Sequence, residues 1–193
     1  NELLFGAVQK VINLHDNEFG GFTSAPKFPS PMKLDFLLSI SESNKVRTNN
    51  HILEGIDFCV NKTLSCLSKS AIFDHVGGGF FRYATQKDWS LPHYEKILSE
   101  NALLISTYAN AYRKYPNDDY KRIILETLSW LNKEMGTPQI GYASSLSAES
   151  ENEEGAYYEW HESEMIDCLG KNLGAQYFQS LPEQPNRKKL PQL

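Results

Sequence analysis

The chain has 193 residues, a formal charge of -5, 40% hydrophobic residues and 12% aromatic residues. That length and composition fit one substantial soluble core and exclude a disordered chain. Basic residues are scattered except for Arg187, Lys188 and Lys189, which argues against a nucleic-acid surface, and apolar runs such as Phe36 to Ile40 fall far short of the roughly 20 residues of a membrane span.

The first predicted element carries Leu3, Leu4, Ala7, Val8, Val11 and Ile12 at helical spacing. No basic region followed by an apolar block precedes it, so no export signal is expected. The segment "FGGFTSAPKFPSP" follows, and Pro31 then opens a helix from about Met32 to Ser43, closed with the help of Ser41, Ser43 and Asn44. Its partner starts near Asn49 and carries Ile52, Leu53, Ile56, Val60, Leu64 and Leu67 on one face.

"GGGFFRYATQKDWSLP" comes next, and the sequence predicts a third helix from near Pro92 bearing Ile97, Leu104, Ile105, Tyr108 and Tyr112. A fourth carries Tyr120, Ile123, Ile124, Thr127, Leu128 and Leu131, and "IGYASS" follows it. The Gly-aromatic steps Gly21-Phe22, Gly79-Phe80 and Gly141-Tyr142 are separated by 58 and then 62 positions. This spacing reads as an internal repeat of glycine loop, helix, turn and helix, a module that must stack on its neighbours to bury both faces. The expected fold is therefore mainly α: an α/α toroid or solenoid of helical hairpins, with loops or short β-hairpins collected at one end. Three units span residues 1–180, whereas a ring of six needs about 360 at this period. The toroid is expected to be incomplete, and residues 181–193, in the stretch "SLPEQPNRKKLPQL" that begins at Ser180, read as a linker or frayed end.

Cys59, Cys66 and Cys168 form no CxxC pair, and the first two, seven apart on a helix, lie about 10 Å apart along its axis. Buried free thiols in a reducing cytoplasm are expected. "GGG" matches neither phosphate-binding glycine pattern, no HxxxH or HExxH occurs, and no cofactor or metal is expected. The acid-rich "AESENEEGAYYEW" lacks the order of a calcium loop and reads as a solvated loop entering a short strand, Ala156 to Trp160.

The chemistry-bearing residues concentrate between Asp74 and Asn101. With Pro92 in a first helical turn, His93 feels the positive end of the helix dipole, which favours the neutral imidazole of a general base. On that helix His93 shares a stripe with Ile97, Glu100 and Asn101, so His93 with Glu100 is the expected pair and Glu95 points elsewhere. His75 is a second candidate acid or base. Arg82, between Phe81 and Tyr83, can present its guanidinium to a ligand or to an internal acid. Asp74 reads as a ligand contact or as a turn acceptor. Trp89, Tyr83, Tyr142 and Trp160 can stack on sugar rings or fill the core. The opposing reading, in which Glu95 complements a helix dipole and His93 bonds a loop carbonyl, stays open.

"GGFTSAPKFPSP" at Gly20 to Pro31, "DHVGGGFFRYATQKDWSLPHYEKILSENA" at Asp74 to Ala102, and "SLSAESENEEGAYYEWHESEM" at Ser145 to Met165 together resemble successive signatures of one group. It is the family of thioredoxin-domain-containing proteins related to spermatogenesis-associated protein 20. The resemblance implies an N-terminal thioredoxin-like domain, which no part of this chain resembles, followed by an (α/α)6 toroid similar to N-acylglucosamine 2-epimerases and six-hairpin glycosidases. This chain resembles the first half of that toroid. His93, Glu95, Arg82 and Trp89 match the pattern. Gln86 and Ser147 stand where it has aspartates, Glu100 and Glu149 replace two more, and Tyr94, Ile97 and Ser99 also depart from it.

Two functions follow. One is a carbohydrate-active protein of epimerase or isomerase type in its full-length form, less so a hydrolase. There His93 or His75 exchanges a proton, Arg82 and Glu95 orient hydroxyls, and Trp89 or Tyr83 stacks on the ring. The other is a non-catalytic scaffold that binds a sugar or a protein beside a thioredoxin-like domain. The expected partners are a small sugar-like ligand and whatever completes the ring: the other half of the toroid, the thioredoxin-like domain or a second copy. Neither nucleic acid nor membrane is expected, and half a toroid alone is expected to be inactive.

Overall fold

The computed structural model describes residues 2–139, 141–181 and 188–191. Among these, eight α-helices run in chain order: α1 (Glu2–Asn13), α2 (Pro31–Ser41), α3 (Asn44–Arg47), α4 (Asn50–Lys69), α5 (Leu98–Lys114), α6 (Asp118–Trp130), α7 (Glu162–Leu169) and α8 (Lys171–Ser180). A π-helical turn, Leu131–Met135, extends α6. None of the described helices is long and apolar enough to cross a membrane.

The helix boundaries follow from local chemistry. Pro31 opens α2, and Asn49 caps α4 by accepting from the Ile52 amide at 3.3 Å. Asn117 caps α6 through the Tyr120 amide at 3.0 Å, with Asp118 and Asp119 in the first turn, where the dipole favours anions. Ser43, expected to help close α2, instead caps the single-turn helix α3.

Helices α1, α4 and α6 pack side by side in one row, α2 packs on α5 in a second, and the α2–α4 and α5–α6 pairs join the rows. Each passage from the first row to the second carries a glycine loop. These loops are stitched by short antiparallel ladders: β1 (Tyr83–Ala84) with β2 (Pro92–His93), β3 (Lys96–Ile97) with β4 (Ser145–Leu146), and β5 (Glu149–Ser150) with β6 (Glu153–Glu154). Lys27 also bridges Ala84, tying the first loop to the second, and β3–β4 ties the second to the third. The main core runs between the rows, from Val8, Leu34 and Leu37 through Ile56, Val60 and Leu64 to Leu104, Tyr108 and Ile123. A separate cluster of Met165, Phe178 and Leu181 holds α7 to α8.

The first two loops repeat in detail. The Asp16 amide donates to the Gly21 carbonyl and the Gly20 amide to the Asp16 carbonyl; Asp74, Gly78 and Gly79 do the same 58 positions on. Each aspartate holds a fully buried lysine, Lys27 at 2.5 Å and Lys96 at 2.7 Å, and each lysine sits about 5 Å from an indole, Trp89 at 5.0 Å and Trp130 at 5.1 Å. Gly21 and Gly79 have φ of 81° and 84°, and a Cβ on either would stand 2.7 Å from those indoles. Only glycine fits both demands.

Two expectations are corrected. Pro92 does not start a helix: Trp89 and Leu91 have φ of 67° and 50°, and the chain enters an extended segment whose Arg82–Glu95 and Thr85–Leu91 backbone bonds satisfy it as a hairpin. The helix begins at Leu98, so Glu100 lies in its first turn and His93 lies outside it. Ala156 to Tyr158 form turns rather than a strand, with only Trp160 bridged, to Lys189. Residues 182–187 and 192–193 of the expected tail lie outside the described residues. Lys189 and Leu190 are packed, 9% and 2% exposed.

Candidate functional site

The side-chain alternation from Pro92 to Ile97 positions the site. Pro92, Tyr94 and Lys96 turn inward while His93, Glu95 and Ile97 are half-buried on the other face. In an extended segment residues two apart share a face, so His93 and Glu95 are neighbours. His93 Nε2 lies 3.9 Å from Glu95 Oε2, and the Arg82 guanidinium donates to the same Oε2 at 2.8 Å. The expected His93–Glu100 pairing is therefore replaced by His93–Glu95.

Glu154 of β6 completes the group. Its Oε1 lies 2.6 Å from His93 Nδ1; a carboxylate only accepts, so Nδ1 carries a proton, and in the neutral ring Nε2 is the nitrogen with the lone pair. The His93 ring stacks on Tyr83 at 4.9 Å and 18°, and Tyr83 meets Phe28 at 5.1 Å. Phe28, Tyr83 and His93 thus form an aromatic ledge at the loop end, with Arg82, Glu95 and Glu154 along its polar side. Side-chain exposures of 46% for Arg82, 26% for His93 and 24% for Glu95 leave the group open to a ligand.

Beneath the ledge, Tyr94 donates to Glu159 at 2.6 Å and stacks on Tyr158. Burial first, and then the Glu159 carboxylate, push the Tyr94 phenol far above its ordinary range. Gly155 (φ 80°) passes so close that a Cβ there would stand 2.5 Å from the Tyr94 ring, which fixes where β6 delivers Glu154. Asn101, at the start of α5, clamps the second loop from below by bonding both the amide and the carbonyl of Phe80, at 2.7 and 3.0 Å.

The other expected site residues lie apart from this group. Asp74 is 5% exposed; its Oδ1 accepts from the Val76 and Gly77 amides and its Oδ2 holds Lys96, so it is a turn acceptor and ion-pair partner. His75 contacts the Ser70 carbonyl at 3.0 Å and the Phe73 ring, and burial pushes its imidazole below the ordinary value. Trp89 is 1% exposed with its indole N–H on the Phe19 carbonyl at 2.7 Å, so it is core rather than a sugar platform. Glu100 is half-buried on α5. Tyr142 is 53% exposed, and Trp160 is half-buried beside Lys189.

Glu154, Glu159 and Lys96 were not legible as site residues. Glu154 and Glu159 meet their partners 61 and 65 residues away, beyond any local spacing. Lys96 did carry a signal, as the third inward position of an alternating run. Buried Lys96 is held by Asp74 and the Gly78 carbonyl and ringed by Phe81, Trp130 and Tyr158 at 5.0, 5.1 and 4.9 Å. Burial lowers its ammonium, against the raising effect of Asp74. Among the described residues no three His, Cys, Asp or Glu side chains converge as a metal site. Of the thiols, Cys59 is buried, Cys66 half-buried and Cys168 exposed, so the expectation of burial fails at Cys168.

No family model matches the chain. Human spermatogenesis-associated protein 20 is 33% identical over 167 residues, 83% of this chain and 21% of that protein. The rat protein of that name is 32% identical over 172 residues, and an uncharacterised protein of Caenorhabditis elegans is 30% identical over 172 residues. The chain spans about a fifth of the length of these curated relatives. Among solved structures, cellobiose 2-epimerase from Spirochaeta thermophila superposes with a TM-score of 0.60 at 21% identity, covering 76% of this chain and 38% of that one. The chain is homologous over most of its length to spermatogenesis-associated protein 20, and its mainly helical fold matches part of the α/α toroid of a sugar epimerase.

Proposed function

We propose that the loop end around His93 is the sugar-handling site of a carbohydrate-active protein of epimerase or isomerase type. One observation carries this reading: a carboxylate on His93 Nδ1 leaves Nε2 as a lone-pair nitrogen beside an arginine and a second carboxylate, on an aromatic ledge. His93 Nε2 takes the proton from the hydroxyl-bearing carbon next to a sugar carbonyl; the C–H pair becomes the C=C bond of an enediolate, and the carbonyl π pair moves to its oxygen, whose charge Arg82 offsets. Arg82 and Glu95 bind hydroxyls, and Tyr83 and Phe28 carry the ring. Returning that proton from His93 to the former carbonyl carbon, while the hydroxyl proton passes to the neighbouring enediolate oxygen, completes an isomerisation with this single base; epimerisation needs a second group on the opposite face. In keeping with its free thiols, the protein works in the cytoplasm.

The scaffold reading is favoured by a specific observation too: Arg82, Glu95, His93 and Glu154 already satisfy one another. A thermal-shift panel separates the two, run on the chain with aldoses, ketoses, cellobiose, N-acetylglucosamine and glucuronate, for wild type, His93→Ala and Glu154→Gln. Stabilisation of wild type by a sugar and its loss in both variants supports the sugar site. No sugar effect, together with marked destabilisation by His93→Ala itself, makes the cluster a brace.

A further inference from the structure

The second loop also lines a cleft of about 240 Å³ that does not include His93. Its floor is Asp74 and Gly77, Glu134 of the π-helical turn stands at one wall, and Tyr157, Tyr158 and Trp160 form much of the rest. Among the described residues that line it, two are acids, three are aromatic and none is basic. Asp74 is neutralised by Lys96 from inside the core, so the cleft keeps one net negative charge, that of Glu134. Glu134 is exposed, and its Oε1 comes within 3.7 Å of the point where a Cβ on Gly77 would stand. The missing side chain at Gly77 is therefore what opens the space between the two carboxylates. Tyr157 is 68% exposed and Trp160 half-buried, which leaves ring surface at the mouth.

We infer that this cleft binds a small organic ammonium ion, a primary alkylamine or the amine-bearing end of a larger ligand. A carboxylate bordered by aromatic side chains, with no basic side chain among the described residues that line the cleft, attracts an ammonium ion through charge and through the negative faces of the rings. The volume suits a group of a few heavy atoms rather than a whole disaccharide. The wall already shows the same chemistry: Lys96 holds its ammonium 4.9 Å from the Tyr158 ring, against Asp74. Burial first, and then the charges of Asp74 and Glu134, push the Tyr158 phenol upward. The inference stands on different residues from the sugar site and does not depend on it.

The test uses the chain's three tryptophans. Trp89 and Trp130 are each 1% exposed, so the indole N–H signal of Trp160 and the amide of Gly77 report on the cleft alone in a nitrogen-15 correlation spectrum. n-Butylammonium chloride is titrated against n-pentanol and sodium butyrate at constant ionic strength. Butylammonium is expected to shift both signals saturably with a Kd of about 1 mM. Pentanol and butyrate are expected to leave them in place. Glu134→Gln, a surface change that leaves the fold intact, is expected to weaken binding about tenfold, and Tyr157→Ala about threefold. Equal shifts with pentanol, undiminished binding in Glu134→Gln, or no saturable shift with butylammonium would each overturn the assignment.

Discussion

Replacing Asp74 by alanine should be among the most damaging single changes in the second loop, and the structure says why. Lys96 is fully buried, and the Asp74 carboxylate 2.7 Å away is its ion-pair partner; the Gly78 carbonyl at 2.8 Å is the other acceptor. Removing one partner of such a buried pair costs about 3–5 kcal/mol, because the remaining charge is stranded in the core. Two loop amides, those of Val76 and Gly77, also lose their acceptor, but they lie near solvent and add at most about 1 kcal/mol. A total near 4–5 kcal/mol corresponds to a fall in Tm of about 10–15 °C for a chain of this size. Lys96→Met should cost less, since Asp74 keeps its two backbone donors and the methionine fills the ring of Phe81, Trp130 and Tyr158. The pH dependence gives a second readout. Burial already holds Lys96 below its ordinary 10.5, and loss of Asp74 removes the main influence that raises it. A lysine whose folded pKa is depressed costs stability while the pH lies below that folded value and regains it as the pH climbs toward the unfolded one. The deficit of Asp74→Ala relative to wild type should therefore be larger at pH 7 than at pH 10. Urea unfolding followed by circular dichroism measures both. A deficit under about 1 kcal/mol at pH 7, or one that does not narrow at pH 10, would refute the reasoning.

Gly20→Ala should destabilise by about 2–4 kcal/mol in the same assay, since φ is 71° and the new Cβ would stand 2.8 Å from the Thr63 backbone on α4. Toward a thiol reagent at pH 8, Cys168 should react first and Cys59 last, because Cys168 is exposed whereas burial pushes the Cys59 thiol up to about 11; peptide mapping of the first labelled site checks the order. Burial lowers the imidazoles of both His15 and His75. Their folded pKa values lie below the unfolded 6.5, so stability is full above that pH and declines as the pH falls toward the folded values. His75→Gln should flatten part of that decline in urea midpoints measured from pH 8 to 5.

Helices α1, α2, α4 and α6 were legible because their stripes are long and their caps local: Asn49, Pro31 and the run from Ile52 to Leu67 place α2 and α4 to within about two residues, whereas the short helices α3, α7 and α8 were not read. The repeat was legible from the Gly-aromatic steps at Gly21 and Gly79, and its physical meaning, a glycine forced by an adjacent indole, came only with the fold; the third step, at Gly141, has neither the positive φ nor an indole beside it. The site was misread at the buried Trp89, expected to carry a sugar ring, and above all at the period of "PHYEKI". Pro92 suits a first helical turn, and a helical period sends Glu95 away from His93 toward nowhere useful. The extended period brings His93 and Glu95 together and buries Lys96. The decisive evidence against a helix there is the left-handed backbone at Trp89 and Leu91, two bulky residues that no propensity argument places in that region. Glu154 was beyond reach for another reason, since its contact with His93 depends on how the third loop folds over the second.

The rungs between loops carry a further consequence for how such a chain can vary. Lys27 and Ala84 exchange two backbone bonds, at 2.7 and 2.9 Å, and β3 pairs with β4 in the next loop. Each unit thus ends in a half-finished edge that its neighbour must complete, and cutting one unit out of the series strands the main-chain groups on both sides of the gap. Helices on the outside can drift, lengthen or lose a turn with little effect on the next unit. Insertions and deletions are therefore tolerated between α5 and α6 far better than between Lys27 and Ala84, and the order of the units is fixed by their seams.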